Sequence, residues 1–324
     1  MNKKDTVLFG LYNTEKLASK ISEITGIPLS KVERTVYADG EVMLVSEPTV
    51  RDKDVYIIAS TSRPVNNNIM ELLLFIDSLK RASARSINIC LSYYGYARQD
   101  RKASGRQPIG AKLVADLLQT AGASRVICVD LHNPSIQGFF DIPVDDLRGQ
   151  FPLAKELKKL GEKFTVVSPD HGGTVRARKL AELIADTIKI CIIDKRRTGV
   201  NQAEVYGILG EIEGYNAVII DDIIDTGGTI LKAVDALKVH GAKKVIVLAT
   251  HGIFTKGFEM FQDNPNVEKV IITNSIDNSE LAAKFSKLQV VDLGEFIGRV
   301  INASLNGGSI TNVYQDYKDE IRSM

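Results

Sequence analysis

An α/β fold built on parallel sheets, arranged as two similar domains, is predicted by three observations. Short apolar runs alternate with amphipathic helical stretches through most of the chain, the pattern of sheets covered by helices on both faces. The length is 324 residues, roughly two domains at about 150 each. One stretch, residues 116–132 (DLLQTAGASRVICVDLH), recurs at 235–251 (DALKVHGAKKVIVLATH). A helix, a Gly-Ala turn and a strand are expected in both copies.

Taken in order, strands are expected at 55–59, 87–91, 126–129, 165–168, 190–193, 217–220, 245–249, 270–273 and 290–293. Each is a short apolar run bounded by turn residues. Helices are expected at 68–82, 111–120, 175–184, 230–239 and 295–303, where apolar residues recur at helical spacing. The sequence DLRGQFP interrupts the alternation near 146–152. The first domain is therefore placed at 1–148 and the second at 149–303, with the tail 304–324 packing on the first.

Lys and Arg number 41 against 40 Asp and Glu, a net charge of +1. This balance excludes a protein that coats nucleic acid by bulk charge, and no nucleic-acid partner is expected. No apolar run approaches the roughly 18 residues that cross a bilayer. The run Val7, Leu8, Phe9 ends at Gly10, too short for a signal-peptide core. Cys90, Cys128 and Cys191 each lie in an apolar run and read as reduced core residues. A cytoplasmic protein with no membrane partner is the expectation.

The strongest chemical signal is NAVIIDDIIDTGGTI, residues 216–230. A buried strand leads into Asp221 and Asp222, and then Asp225, Thr226, Gly227, Gly228 and Thr229 open a helix. Glycines at such a turn let backbone N–H groups close on a phosphate. The carboxylates would repel a bare phosphate, so they suit ribose hydroxyls or Mg²⁺ carried by the ligand. A second turn, TVVSPDHGGTVRAR at 165–178, ends a strand at Asp170 and enters a helix through Gly172 and Gly173. Asp170 reads as a metal ligand or as a cap.

Four weaker stretches each also read as ordinary structure. DKRR at 194–197 is a clamp on phosphoryl charge or a solvated turn. YYGYARQDRK at 93–102 is a nucleotide contact or a surface loop. YADGE at 37–41 centres on Asp39–Gly40, a hairpin turn. His132 ends the strand 126–129, and His251 holds the matching place in the second copy, read as structural.

Together these motifs resemble ribose-phosphate diphosphokinase, also called phosphoribosyl pyrophosphate synthetase. YADGEVML, YYGYARQDRK, IQGFFDIPVDDL, VVSPDHGGTVRARK, DKRR and IIDDIIDTGGT occur in the family's order and spacing, over nearly the whole chain. The resemblance implies two type I phosphoribosyltransferase-like domains and transfer of the diphosphate of ATP to the anomeric hydroxyl of ribose 5-phosphate. It implies that Asp221, Asp225, Thr226, Gly227, Gly228 and Thr229 bind ribose 5-phosphate, with Arg197 also reaching it. Arg98 and Gln99 would hold ATP. Asp39, Gly40 and Glu41 would reach the ATP of a neighbouring subunit. His132 and Asp170 would be Mg²⁺ ligands, and Lys195 and Arg197 the mobile catalytic pair. A homohexamer built from dimers is implied, as is a Mg²⁺ requirement.

The chain departs from the family at several points. Tyr37–Ala38 stands where many members have Phe-Ser, and Thr198–Gly199 follows DKRR where many have proline. Asn133 and Ser135 replace the frequent Ala and Gln. Asp146 places a carboxylate beside the family's regulatory anion site, which is expected to weaken an anion there. Two other readings are a catalytically silent associated subunit and a base-using phosphoribosyltransferase. The first loses catalytic residues that stand here at Lys195, Arg197, Asp221 and Asp225. The second needs neither the duplication nor the stretch at 93–102.

Overall fold

The computed structural model describes residues 3–184, 189–199 and 202–324, with the backbone alone described over 195–199 and 202–206. The chain divides into two compact units.

In the first, β1 (Thr6–Gly10) leads into α1 (Glu15–Thr25), which Gly26 closes in the left-handed conformation. After the short β2 (Leu29–Ser30) comes a hairpin of β3 (Val32–Val36) and β4 (Val42–Ser46). Then follow β5 (Asp54–Ser60), α2 (Val65–Arg81), β6 (Ser86–Tyr93), α3 (Gly110–Ala121), β7 (Arg125–Val129) and β8 (Val144–Leu147). The sheet order is β2-β1-β5-β6-β7-β8, and every pair is parallel. β5 is buried at every position, as a strand covered on both faces must be. α2 buries Ile69, Leu72, Phe75, Ile76 and Leu79, one stripe at helical spacing. Phe75 meets Phe9 of β1 edge to face at 5.1 Å.

The second unit holds α4 (Gln150–Lys158), β9 (Thr165–Ser168), α5 (Thr174–Ile184), β10 (Ile190–Gly199) and β11 (Gln202–Leu209). It continues with β12 (Ala217–Ile224), α6 (Gly228–Val239), β13 (Val245–Gly252), α7 (Glu259–Asp263), β14 (Lys269–Thr273), α8 (Ser279–Lys284) and β15 (Leu288–Val291). The order is β11-β10-β9-β12-β13-β14-β15. Only the edge pair β10–β11 is antiparallel among these. β12 runs four residues beyond its sequence-expected end because Ile223 and Ile224 still pair with His251 and Gly252.

The remaining elements divide differently from the sequence expectation. α9 (Gly294–Leu305) belongs to the first unit, with 292–313, and α10 (Ile310–Ser323) passes into the second, which holds 314–324. The cause is local packing. A Cβ on Gly298 would stand 2.6 Å from Ile24, and Asn302 donates to the Ile24 carbonyl, so α9 lies close on α1. In the tail, Tyr314 stacks on Phe151 at 4.9 Å and Glu320 pairs with Lys155, both partners on α4.

The internal repeat is also corrected. It aligns α3–β7 with α6–β13, yet β7 is fifth in its sheet. β13 is fourth in the matching order β10-β9-β12-β13-β14-β15. The two sheets share an order, but the matched sequences sit one βα unit apart. A Gly-Ala turn before an apolar strand suits any βα unit. By sheet position the counterpart of β12 is β5, so the turn 60–64 stands where the second unit carries its acidic Gly motif.

Candidate active site

In the second unit the chain leaves β9 toward β10 on one side and later returns through β12 on the other. The carboxyl ends of β9 and β12 therefore form a topological switch point, the usual ligand crevice of an open α/β sheet. Both glycine turns lie there.

The turn after β12 carries the acidic motif. Asp221 and Asp222 lie on β12 itself, and the Arg176 Nη1 on α5 stands 3.3 Å from an oxygen of each. Asp222 is buried, and Asp221 accepts from the Asp222 amide at 2.9 Å. Burial, and then the neighbouring Asp222 carboxylate, push the Asp221 carboxyl well above the usual range, while Arg176 offsets part of this. Asp225 follows, its carboxylate accepting from Thr255 Oγ1 at 2.6 Å. Gly227 adopts φ 78° as the N-cap of α6. Phe261 lies 2.6 Å from where its Cβ would be, so the turn rests directly on that ring. Thr226, Gly228 and Thr229 are exposed. The first amides of a helix have no acceptor within it, the arrangement that suits an anion at the start of α6.

The turn after β9 folds on its own side chains. The Gly173 amide donates to Asp170 Oδ1 at 3.0 Å, and Ser168 Oγ donates to the Asp170 carbonyl at 2.6 Å. A Cβ on Gly173 would stand 2.8 Å from that same Ser168 oxygen, which is why glycine is needed there. Asp170 is exposed. His171 Nε2 lies 3.1 Å from Asp194 on β10, the residue before Lys195. The side chains of Lys195 and Arg197 lie outside the described residues. Their backbone pairs with Val205 and Ala203 on the antiparallel edge.

In the first unit, β6 and β7 are neighbours and their loops meet. Asn133 Nδ2 donates to Asp100 at 2.6 Å, tying the loop of His132 to that of Arg98 and Gln99. All three of those side chains are exposed. The Gln99 amide donates to the Tyr96 carbonyl, and the Gln99 side chain lies where a Cβ on Gly110 would be. Asp146 accepts from the Leu131 amide at 2.9 Å. Asp39, Gly40 and Glu41 form the exposed tip of the β3–β4 hairpin, with Gly40 at φ 93° and Asp39 accepting from the Glu41 amide. This hairpin is a sheet of its own. Cys90, Cys128 and Cys191 are free and buried, and burial raises each thiol. His251 is buried.

Residues 6–122 match the family described as the N-terminal domain of ribose phosphate pyrophosphokinase, and residues 192–315 the phosphoribosyl synthetase-associated domain. A ribose-phosphate pyrophosphokinase of Mycoplasmopsis pulmonis is 59% identical over 317 residues, 98% of this chain and 99% of that one. The chain belongs to the ribose-phosphate pyrophosphokinase family. Its Bacillus subtilis relative is 49% identical over 92% of this chain and 93% of its own. A crystal structure of phosphoribosylpyrophosphate synthetase from Mycobacterium smegmatis matches with TM-score 0.81 and 35% identity, over 94% of this chain and all of that one.

Within this pyrophosphokinase fold, Asp170 and the motif of Asp221 to Thr229 share one sheet end. Arg98, Gln99 and His132 share another, in the other unit. Thr255 was without any sequence signal. It stands 30 residues after Asp225 and outside every motif. Arg176 was visible as a basic residue after the Gly pair, but its bridge to two carboxylates was not. Among the described residues no helix is long and apolar enough to cross a membrane.

Proposed function

We propose that this chain transfers the diphosphate group of ATP to the anomeric hydroxyl of ribose 5-phosphate, giving 5-phosphoribosyl 1-diphosphate and AMP. The observation that carries this reading is the acidic Gly turn at the switch point, with three carboxylates beside the amides that start α6. That pairing suits a sugar phosphate: amides for the phosphate, carboxylates for the hydroxyls.

In the reaction the anomeric hydroxyl gives up its proton to solvent and its oxygen forms a bond to the β-phosphorus of ATP. The bond from that phosphorus to the oxygen bridging it to the α-phosphorus breaks, and AMP leaves with that oxygen. Such transfer needs positioning and charge neutralisation more than covalent help. Asp221 and Asp225 hold ribose hydroxyls, and the amides of 226–229 hold the 5-phosphate. Arg98 and Gln99 hold ATP, with Asp39, Gly40 and Glu41 supplied by a neighbouring subunit of a homohexamer built from dimers. Lys195 and Arg197 meet the charge that grows on the transferred group, and Arg197 also reaches the sugar phosphate.

Mg²⁺ would screen the transferred diphosphate when bound. Asp170 fits such an ion: it is exposed, and its Oδ1 is held by the Gly173 amide. His132 offers nitrogen where Mg²⁺ prefers oxygen. Among the described residues no group of three or more His, Cys, Asp or Glu could hold a metal. An ion held mainly by substrate phosphates accords with that. This reading carries a cytoplasmic enzyme of nucleotide biosynthesis.

The test is incubation with ATP, Mg²⁺ and ribose 5-phosphate. AMP and phosphoribosyl diphosphate in equal amounts are expected. ADP in place of AMP, or no sugar product, overturns the reading.

A further inference from the structure

The turn from Asp225 to Gly227 rests on the chain that runs from the end of β13 through α7. Thr255 Oγ1 donates to Asp225 Oδ1 at 2.6 Å. The Ile253 amide donates to the Ile224 carbonyl at 2.8 Å, fixing the backbone just ahead of Asp225. Phe261 and Met260 approach Gly227 so closely that a Cβ there would meet them at 2.6 and 3.0 Å. Phe254, Phe258 and Phe261 pack on one another beneath, with ring centroids 5.2 to 5.9 Å apart. A packed aromatic base thus carries the Thr255 hydroxyl against the acidic turn.

We propose that Thr255 is a positioning residue for the sugar: its hydroxyl holds Asp225 Oδ1 and so sets the orientation in which that carboxylate meets a ribose hydroxyl. This rests on the reading of Asp225 as a ribose 5-phosphate contact. A carboxylate on a short side chain at a turn has several rotamers, and only some face the ligand. A hydrogen bond to a charged acceptor is strong enough to select one. The phosphate is held elsewhere, by the amides of 226–229, so Thr255 acts on the sugar and not on the phosphate.

The experiment measures binding of ribose 5-phosphate and, separately, of inorganic phosphate, without ATP. The proteins are the parent, Thr255→Val, Thr255→Ser, Asp225→Asn and the double variant Thr255→Val/Asp225→Asn. Thr255→Val is expected to weaken ribose 5-phosphate about tenfold, the scale of a lost hydrogen bond to a charged group. Thr255→Ser should recover most of this, and inorganic phosphate should bind every Thr255 variant alike. In the Asp225→Asn background Thr255→Val should add little, because its effect passes through Asp225. Equal losses for both ligands, or additive losses in the double variant, would show Thr255 to be packing alone and overturn the proposal. Asp225→Asn binding ribose 5-phosphate as well as the parent would overturn the site reading, and this proposal with it. If Asp225→Asn weakens binding but Thr255→Val does not, only the proposal fails. Should Thr255→Val not fold, Thr255→Ala carries the same comparison.

Discussion

The Arg176 guanidinium stands 3.3 Å from an Asp221 carboxylate oxygen, reaching from the first turn of α5 to the middle of β12. The same nitrogen is 3.3 Å from Asp222. One cation therefore serves two adjacent carboxylates, and it leaves the Asp221 carboxyl raised well above its ordinary value by burial and by Asp222.

A stability cost follows, with a definite sign. A carboxyl whose folded pKa is raised favours folding below its unfolded pKa, and loses that advantage as pH rises through the folded value. Asp221→Asn should therefore raise Tm at neutral pH, by roughly 2–4 °C for about 1 kcal/mol in a domain of this size. The gain should vanish as pH falls below about 4, the ordinary carboxylate pKa, where both states are protonated. Activity should fall at the same time. Thermal melts across pH check this; a gain that grows toward acid pH would refute the assignment.

The Gly173 amide holds Asp170, and Gly173 has no room for a side chain beside Ser168. Gly173→Ala should displace the Ser168 hydroxyl from the Asp170 carbonyl and turn the carboxylate away. Activity should drop at least tenfold, and the Mg²⁺ concentration for half-maximal rate should rise, if Asp170 serves the ion. Overpacking of this kind costs about 1–3 kcal/mol, so melting should be measured beside the Mg²⁺ titration. Loss of stability with an unchanged Mg²⁺ requirement would remove Asp170 from the ion.

Glu41 lies on an exposed hairpin tip, outside both large sheets. If it serves a neighbour's ATP, an inactive Glu41→Ala chain and an inactive Lys195→Ala chain should complement after subunit exchange. A mixed oligomer then holds some sites with both residues intact. Tagged chains prove the mixing, and mixed oligomers without recovered activity would place each site within one chain.

What the sequence made legible was chemistry coupled to backbone pattern. Asp39–Gly40 is readable as a turn because glycine supplies the φ 93° that the hairpin tip requires. The strand before it was not, since VERTV is mostly exposed and carries three polar residues in its middle. The acid-rich turn at 221–229 was legible because buried strand, carboxylates and glycines lie within a few residues. Thr255 and Arg176 act from other loops and elements, so no local pattern marks them. α9 was assigned by its neighbours in sequence, whereas Gly298 and its lack of a side chain decide where it packs. The repeat misled because each βα unit obeys the same local rules, and similarity between two such units does not fix their place in the sheet.

Lys195 follows Asp194 on β10, which is held by β9 through Ile192 and, on its other side, by β11. Its base is thus anchored to the sheet that carries the Asp221 turn. Lys offers a compact charge and Arg197 a planar fork of donors. Charge on the β-phosphoryl oxygens changes most in the transition state, so these cations should act there more than on bound ATP. Removing one well-placed donor from such a site costs about 3–4 kcal/mol, or 10²–10³ in rate. Lys195→Ala should lower kcat by at least that factor, with ATP and ribose 5-phosphate affinities changed only a few-fold. Arg197→Ala should lose similar rate, with an added loss of ribose 5-phosphate affinity if it also reaches the sugar. The double variant should fall short of additivity if the two close as one unit. Rate constants beside directly measured affinities separate these effects. A Lys195→Ala enzyme that keeps kcat and loses only affinity would make DKRR a binding patch, and the catalytic assignment would fall.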